Sequence, residues 1–202
     1  MGRTRQLTLP VRRLGEYAMD RYWFFTWRSY GTWLPGDEGF VGYYRPDSDE
    51  REIENLPCTP TAPPQPLLAR YGASVQTGET VFLTPKQAPF ILNQLQETAS
   101  IRGWRLDAVA VLATHVHVVF GVPRDLDPSP MLRDFKSYAS RALNNACGQR
   151  ENGRWWADRG SKRPLKARER RLAAIRYVRD QELALLIWLS EEAKILLGEP
   201  AA

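Results

Sequence analysis

The sequence predicts an α+β fold in which an antiparallel sheet carries helices on one face. Segments rich in β-branched and aromatic residues alternate with segments of helical apolar spacing, in the order strand, helix, strands, helix, strand, helix. The chain has 202 residues, a length that usually forms one domain with a substantial core. Its hydrophobic content of 43% is ordinary for a globular protein, and no apolar run is long enough to span a membrane.

An aromatic strand is the first predicted element. Residues 22–30 are dense in aromatic side chains, which favour strands. Residues 31–37 then interrupt the pattern with Gly and Pro. Residues 37–66 are acidic and then proline-rich, without the apolar pattern of a core. We therefore expect a single domain over residues 1–202, with residues 37–66 as an insertion in it.

The first predicted helix follows that insertion. Thr84 is suited to its N-cap, Pro85 to its first helical position and Gly103 to its end. Its apolar spacing predicts a buried face made of Phe90, Ile91, Leu95, Thr98 and Ile101. Residues 104–120 are rich in β-branched side chains and predict either a hairpin or one long strand.

Two further helices are predicted in the second half of the chain. The first covers residues 129–143, with an apolar face formed by Met131, Leu132, Phe135, Ala139 and Leu143. After a loop at 144–153 we expect a short strand at 154–157 and a basic loop at 160–168. Residues 170–197 then predict one long terminal helix, because apolar residues recur there at helical spacing.

The only two histidines of the chain are separated by one residue within a predicted strand. Because side chains alternate between the faces of a strand, His115 and His117 are expected on the same face, about 6–7 Å apart along the chain. Two neighbouring imidazoles on a rigid strand can bind one divalent metal ion. A chance pair on a solvated sheet face is the alternative interpretation.

Basic residues are concentrated in one part of the chain. The net charge is +5, and residues 133–179 contain fourteen Lys and Arg against four Asp and Glu. A long surplus over consecutive elements favours phosphate binding over a merely solvated face. The candidate DNA-binding residues are Arg133, Lys136, Arg141, Arg154, Lys162 and Arg163.

A chemical site can be assembled from the histidines and two residues of the predicted terminal helix. Tyr177 and Gln181 are four residues apart, which would place them on one helical face. Two imidazole nitrogens and the neutral amide oxygen of Gln181 would leave positions open for phosphate oxygens, as a catalytic metal site requires. Tyr177 would then be the nucleophile, although a phenol with a pKa of about 10 needs activation.

These motifs resemble a known family. His-hydrophobic-His followed about sixty residues later by Tyr-x-x-x-Gln is similar to the single-tyrosine HUH transposases of small bacterial insertion sequences and to the REP-associated tyrosine transposases. The resemblance extends over residues 20–185. Supporting segments are Phe24–Trp27 in the first strand, Leu132–Lys136 in a helix and Ala174–Val178 around the tyrosine.

The resemblance implies a fold, a reaction and a set of roles. The fold would be a ferredoxin-like (RRM-like) sheet with the histidines on a central strand and the nucleophile on the C-terminal helix. Tyr177 would attack single-stranded DNA folded into a hairpin, leaving a 5′-phosphotyrosine and a free 3′-OH without a nucleotide cofactor. His115, His117 and Gln181 would bind Mg²⁺ or Mn²⁺, although imidazole ligands alone favour Mn²⁺ or Zn²⁺. Related chains often have Asn at the positions of Thr114 and Gln181, which leaves the subfamily open.

Several alternatives remain open from the sequence. Tyr138 is a second candidate nucleophile, but the residue four positions later is Ala142, which cannot bind a metal. A non-catalytic, RRM-like module that binds single-stranded nucleic acid is the main alternative function. We expect no membrane partner, and either a monomer or a homodimer. The two cysteines are too few for a disulfide framework, which predicts a reducing cytoplasm, and the resemblance adds the bacterial nucleoid.

Overall fold

The computed structural model describes residue 19, residues 21–37 and residues 64–199, so most of the predicted insertion lies outside the described residues. Its elements, in chain order, are β1 (Arg21–Arg28), α1 (Pro66–Ser74), α2 (Ala88–Arg102), β2 (Arg105–Leu112), β3 (His115–Val122), α3 (Pro128–Cys147), β4 (Ser161–Pro164), α4 (Arg168–Arg179), β5 (Ala184–Leu189) and α5 (Glu191–Leu197). The strands form one sheet in the order β4-β1-β3-β2-β5, and all neighbours are antiparallel. The predicted α+β class with an antiparallel sheet is confirmed.

One face of the sheet holds the larger core. Trp23, Phe25 and Trp27 alternate along β1 and point to this face, where α2 and α3 cover them. The ring of Phe120 from β3 packs edge-on against Phe25 and against Phe135 of α3, at centroid distances of 4.8 and 5.2 Å. Burying such large rings provides much of the hydrophobic driving force for folding.

Helices also cover the other face, so the prediction of helices on one face only is wrong. Ala108 of β2 and Val119 of β3 pack there against Ile175 and Val178 of α4 and Ala193 of α5. The physical reason is visible in β2, which is buried on both faces from Leu106 onward. A strand covered on both faces has a continuous apolar run instead of alternating polar residues.

The predicted long helix over 170–197 is three elements. The helix α4 ends at Arg179, the strand β5 pairs with β2, and α5 follows after Ser190. The apolar run of β5 completes the sheet, which gives the backbone groups along one of its edges partners and partly buries most of its side chains. Tyr177 therefore lies on the penultimate helix and not on the C-terminal one.

The other predicted elements need smaller corrections. The helix α2 begins at Ala88, with Gln87 as N-cap, and ends at Gly103, whose φ of 70° is the expected left-handed cap. Phe90 and Ile101 are 43% and 75% exposed, so they are not part of its buried face. Ala88 and Ala99 complete that face together with the predicted residues Ile91, Leu95 and Thr98.

The predictions for the segments between α2 and α4 can be compared with the structure one by one. Residues 104–120 form the hairpin β2–β3 and not one long strand. The predicted apolar face of α3 is buried as expected, and that helix continues to Cys147. Residues 154–157 form no strand, only an isolated bridge between Ser29 and Trp156. Instead, β4 lies inside the predicted basic loop. Within the described ranges, no helix is long and apolar enough to cross a bilayer.

Candidate functional site

The two histidines converge on the central strand of the sheet. His115 and His117 lie on the same face of β3, as their spacing predicts. Their Nε2 atoms are 3.0 Å apart, and their ring centroids are 4.6 Å apart with an interplanar angle of 80°. The strand therefore holds two imidazole nitrogens at one point in space.

Threonine hydroxyls hold the opposite nitrogen of each ring. The Oγ1 of Thr26, on the neighbouring strand β1, is 2.7 Å from Nδ1 of His117. The Oγ1 of Thr114 is 2.9 Å from Nδ1 of His115. When each Nδ1–H donates to its hydroxyl, both Nε2 lone pairs are directed at the same point. Such a partner fixes the tautomer and the orientation of a metal-binding histidine.

Burial keeps both imidazoles neutral at physiological pH. It lowers the pKa of His115 to about 4, and the nearby charge of Arg28 acts in the same direction. It lowers the pKa of His117 to about 3, with further contributions from His115 and Arg28. A neutral imidazole has a free lone pair for a metal ion. The pair is therefore available as a ligand without losing protons first.

Tyr177 lies beside this pair. Its ring centroid is 5.3 Å from that of His117 and 5.8 Å from that of Phe24, and both contacts are edge-on. The helix α4 directs Tyr177 toward β1 and β3 because its neighbours Ile175 and Val178 are anchored in the second core. The side chain is nevertheless 52% exposed. A phenol at the edge of the histidine pair is thus open to a large substrate.

Gln181 lies just beyond the end of α4, so the prediction that it shares a helical face with Tyr177 is wrong. Its amide Nε2 donates a hydrogen bond of 2.9 Å to the backbone carbonyl of Tyr177. This bond keeps Gln181 close to the peptide unit of Tyr177. Its amide oxygen is left without a hydrogen bond to the histidines among the described residues.

The donor set fits a divalent metal ion that is bound only in part by protein. An Nε2–Nε2 distance of 3.0 Å matches two adjacent ligands of one ion, each at about 2.1 Å. Among the described residues, no third His, Cys, Asp or Glu joins the two histidines. Within the described part of the chain, a further protein ligand would be a neutral oxygen, such as that of Gln181, and a substrate could supply others.

A buried ion pair anchors α4 to the sheet. Arg171 donates two hydrogen bonds, of 2.7 and 2.8 Å, to the carboxylate of Asp107 on β2. The same guanidinium is 3.1 Å from Glu192 of α5, which also pairs with Arg105 at 2.8 Å. Asp107 is fully buried. The bidentate pair fixes where α4 begins, and Tyr177 follows less than two turns later on the same rigid helix.

The structure separates the predicted DNA-binding residues. Four of them line a groove of about 430 Å³ between α3 and residues 153–162, on the sheet face opposite the histidines: Arg133, Lys136, Arg154 and Lys162. Arg163 is paired with Phe24 across the β1–β4 ladder and therefore faces the histidine side. Arg141 stacks over the ring of Tyr138 at 5.2 Å.

The structure changes the predicted roles of Lys136 and Tyr138. Lys136 donates hydrogen bonds to the backbone carbonyls of Ala157 (2.6 Å) and Arg159 (2.9 Å), so its ammonium stabilises the backbone that forms one wall of the groove. Tyr138 lies on α3, which covers the sheet face away from the histidines. The structure therefore gives no support to Tyr138 as the alternative nucleophile.

Sequence reasoning missed two residues on the histidine face. Thr26 and Arg28 alternate with the core side chains of β1, and their partners across the ladder are His117 and His115. Residue alternation alone would have placed both on one face. Only the register between β1 and β3 brings them to the histidines.

Comparison with known proteins identifies the family of this chain. The family model described as "Transposase IS200 like" matches residues 77–181, more than half of the chain, including both histidines, Tyr177 and Gln181. The chain belongs to the IS200-like transposase family. Its function is therefore DNA processing. The family model does not extend to β1, where Thr26 and Arg28 lie.

Structural comparison gives a more distant similarity. A solved structure described as "Structure of the REP associates tyrosine transposase bound to a REP hairpin" has 16% sequence identity to this transposase and a TM-score of 0.43. The similarity covers 85% of this chain and 70% of that one. No curated protein sequence matches the chain.

Proposed function

We propose that this transposase cleaves and rejoins single-stranded DNA through a covalent 5′-phosphotyrosine, with Tyr177 as the nucleophile. The observation that carries the proposal is the position of the Tyr177 ring, 5.3 Å from the ring of His117 in a converging histidine pair. Family membership supports DNA as the substrate. An exposed phenol next to two imidazole nitrogens that can bind a metal ion supports phosphoryl transfer to tyrosine.

Each residue has a defined role in the proposed reaction. His115, His117 and Gln181 hold a divalent ion, Mg²⁺ or Mn²⁺, which polarises the scissile phosphate when it is bound. The Oη of Tyr177 forms a bond to phosphorus and loses its proton, and the P–O3′ bond breaks. The departing 3′ oxygen gains a proton. Because the phosphodiester energy is kept in the tyrosine ester, rejoining needs no nucleotide cofactor.

We propose that two basic surfaces guide the DNA. Arg163 lies on the face of Tyr177, and Arg133, Arg154 and Lys162 line the groove on the opposite face. Positive side chains release counterions from phosphates, so binding should weaken as salt rises. We propose single-stranded DNA with a hairpin or palindromic repeat as the substrate, which offers both a duplex stem and an unpaired strand.

The test is formation of a covalent adduct. Purified protein is incubated with labelled single-stranded hairpin DNA from the flanks of its own gene, with Mn²⁺, Mg²⁺ or EDTA, and separated on a denaturing gel. We expect a metal-dependent protein–DNA adduct that is absent in Tyr177→Phe. Tyr138→Phe is the matched control and should form the adduct at the wild-type rate.

Other outcomes would contradict the proposal in different ways. An adduct that persists in Tyr177→Phe but is lost in Tyr138→Phe would assign the nucleophile to α3. Retained hairpin binding without an adduct under any metal condition would favour a non-catalytic single-stranded DNA-binding module.

A further inference from the structure

Arg28 brings a positive charge to the histidine pair. It is the last residue of β1, and its Cα partner across the ladder is His115. Because ladder partners point to the same side of a sheet, Arg28 shares the face of His115, His117 and Thr26. Its charge contributes to the lowered pKa values of both histidines, and it also interacts electrostatically with Tyr177.

The guanidinium lies against an aromatic ring, and the charge of Asp37 acts on it from beyond ion-pair distance. Its central carbon lies 4.2 Å from the centroid of the Trp33 ring, a stacked cation–π contact. Among the described residues, no Asp or Glu lies within 4 Å of it. The side chain is half-buried, and this desolvation lowers the pKa of Arg28, although a guanidinium keeps its proton. A partly desolvated cation without a close counter-ion is stabilised by an incoming anion.

We propose that Arg28 is a catalytic residue that binds a non-bridging oxygen of the scissile phosphate. The inference rests on the function proposed above, since that reaction brings a phosphate between Tyr177 and the histidine pair. Arg28 extends from the neighbouring strand on the face of the histidines, and the Trp33 ring lies against its guanidinium, whose five N–H donors suit the oxygens of a phosphate.

Arg28 makes and breaks no covalent bond in this reaction. As the Tyr177 Oη–P bond forms and the P–O3′ bond breaks, negative charge accumulates on the non-bridging oxygens. A preorganised guanidinium stabilises that charge more strongly in the transition state than in the substrate. Removing it should therefore slow the chemical step more than it weakens DNA binding.

The experiment compares two substrates that differ only at the scissile phosphate. Single-turnover rates of adduct formation are measured for wild type, Arg28→Ala and Arg28→Lys with the normal phosphodiester and with a neutral methylphosphonate at the cleavage site. Hairpin affinity is measured in parallel. Arg21→Ala is the matched control, because Arg21 is an exposed arginine at the other end of β1.

We expect the rate with the phosphodiester to fall by about 100- to 1000-fold in Arg28→Ala, with a partial recovery in Arg28→Lys. Hairpin affinity should change by less than about threefold, the loss of one of many phosphate contacts. With the methylphosphonate, Arg28→Ala should react as fast as wild type, because the charge that Arg28 stabilises is absent. Arg21→Ala should match wild type on both substrates.

An equal loss of rate on both substrates in Arg28→Ala and Arg28→Lys would overturn the proposal and show a structural role. An unchanged rate on the phosphodiester would also overturn it, while the wild-type adduct would still support the proposed function. If wild type itself forms no adduct on the phosphodiester, the proposed function fails, and the role of Arg28 fails with it.

Discussion

His117 is a buried polar side chain and His115 a partly buried one, and their neighbours explain why the fold tolerates them. Each Nδ1 has a threonine hydroxyl as partner, and each Nε2 faces the other. Burying an imidazole in its neutral form costs far less than burying it charged. The site therefore combines a low cost of burial with two nitrogens that remain free to bind a cation.

The lowered pKa values predict that acid destabilises the folded protein through these two residues. Values of about 4 for His115 and about 3 for His117 lie below the ordinary 6.5, so the unfolded state binds more protons than the folded state as the pH falls below 6.5. Stability is complete above pH 6.5 and is lost as the pH falls toward 4. Each histidine contributes a slope of at most about 1.4 kcal/mol per pH unit.

Urea unfolding from pH 8 to pH 4 measures this slope. The variant with both His115→Asn and His117→Asn is the control, because asparagine is polar and does not titrate. The free energy of unfolding of wild type should fall more steeply below pH 6.5 than that of the double variant. Parallel curves would show that the histidines are not buried neutral.

At the level of single residues, the histidine pair was predictable and its surroundings were not. The period of two along a strand is local, so it places His115 and His117 on one face from the sequence alone. Thr26 and Arg28 are about ninety residues away in the chain and reach the site only through the register of β1 against β3. A register depends on the packing of the whole sheet, and a shift by one residue would turn both side chains to the other face.

The helix α4 carries Tyr177, the proposed nucleophile, and a buried ion pair fixes the position of this helix. Replacing Asp107 by Asn leaves the buried Arg171 with its contact to Glu192, and replacing Arg171 by Met leaves the buried Asp107 with Arg105 at 3.9 Å, so each variant removes the closest partner of a buried charge. We expect each single variant to lose about 3–5 kcal/mol of unfolding free energy in urea.

The combined variant Asp107→Asn with Arg171→Met tests the cause. Because it removes both charges, it should lose clearly less than the sum of the two single losses. An exposed pair, such as Arg154 with Asp158, is the matched control, and Asp158→Asn should change stability by less than about 1 kcal/mol. Additive losses in the combined variant would show that Asp107 and Arg171 act independently.

The division of residues 170–197 into three elements shows where helical periodicity misleads. The apolar residues of β5 form a continuous run that also fits one side of a helix. Short apolar runs of this kind do not distinguish a buried strand from a helix segment. The strand is favoured over the helix because β5 pairs with an edge of β2 that would otherwise lack a partner. Similarly, the sequence did not predict β4, because its segment is basic and resembles a loop. An edge strand often carries such charges, which prevent aggregation.

On the scale of the whole molecule, the sheet separates two surfaces. The histidines and Tyr177 lie on the face of α4, whereas the groove with Arg133 and Lys162 lies on the face of α2 and α3. The basic surplus in the sequence predicted phosphate contacts but could not divide them between faces. For the residues of β4, that division depends on the face of the sheet to which each side chain points, and the pairing of β4 with β1 sets that face.

The chain connections also decide whether one molecule carries a complete site. An unstructured stretch over residues 160–168 would be long enough for α4 to pack on a second copy of the chain. In the structure β4 shortens that connection to residues 165–167, which span at most about 11 Å. Both ends of α4 are tied to its own sheet, since β4 pairs with β1 and β5 pairs with β2. Exchange of α4 between chains would therefore break both edge strands.

We accordingly predict that Tyr177 acts together with the histidines of its own chain. An equal mixture of His117→Ala and Tyr177→Phe should form no adduct, because neither chain has a complete site. If α4 were exchanged within dimers, about one quarter of the sites would combine an intact His117 with an intact Tyr177. The adduct would then appear on the His117→Ala chain, which a size tag identifies on the gel. Wild-type adduct formation per chain should likewise be independent of protein concentration, since a complete site in each chain needs no association.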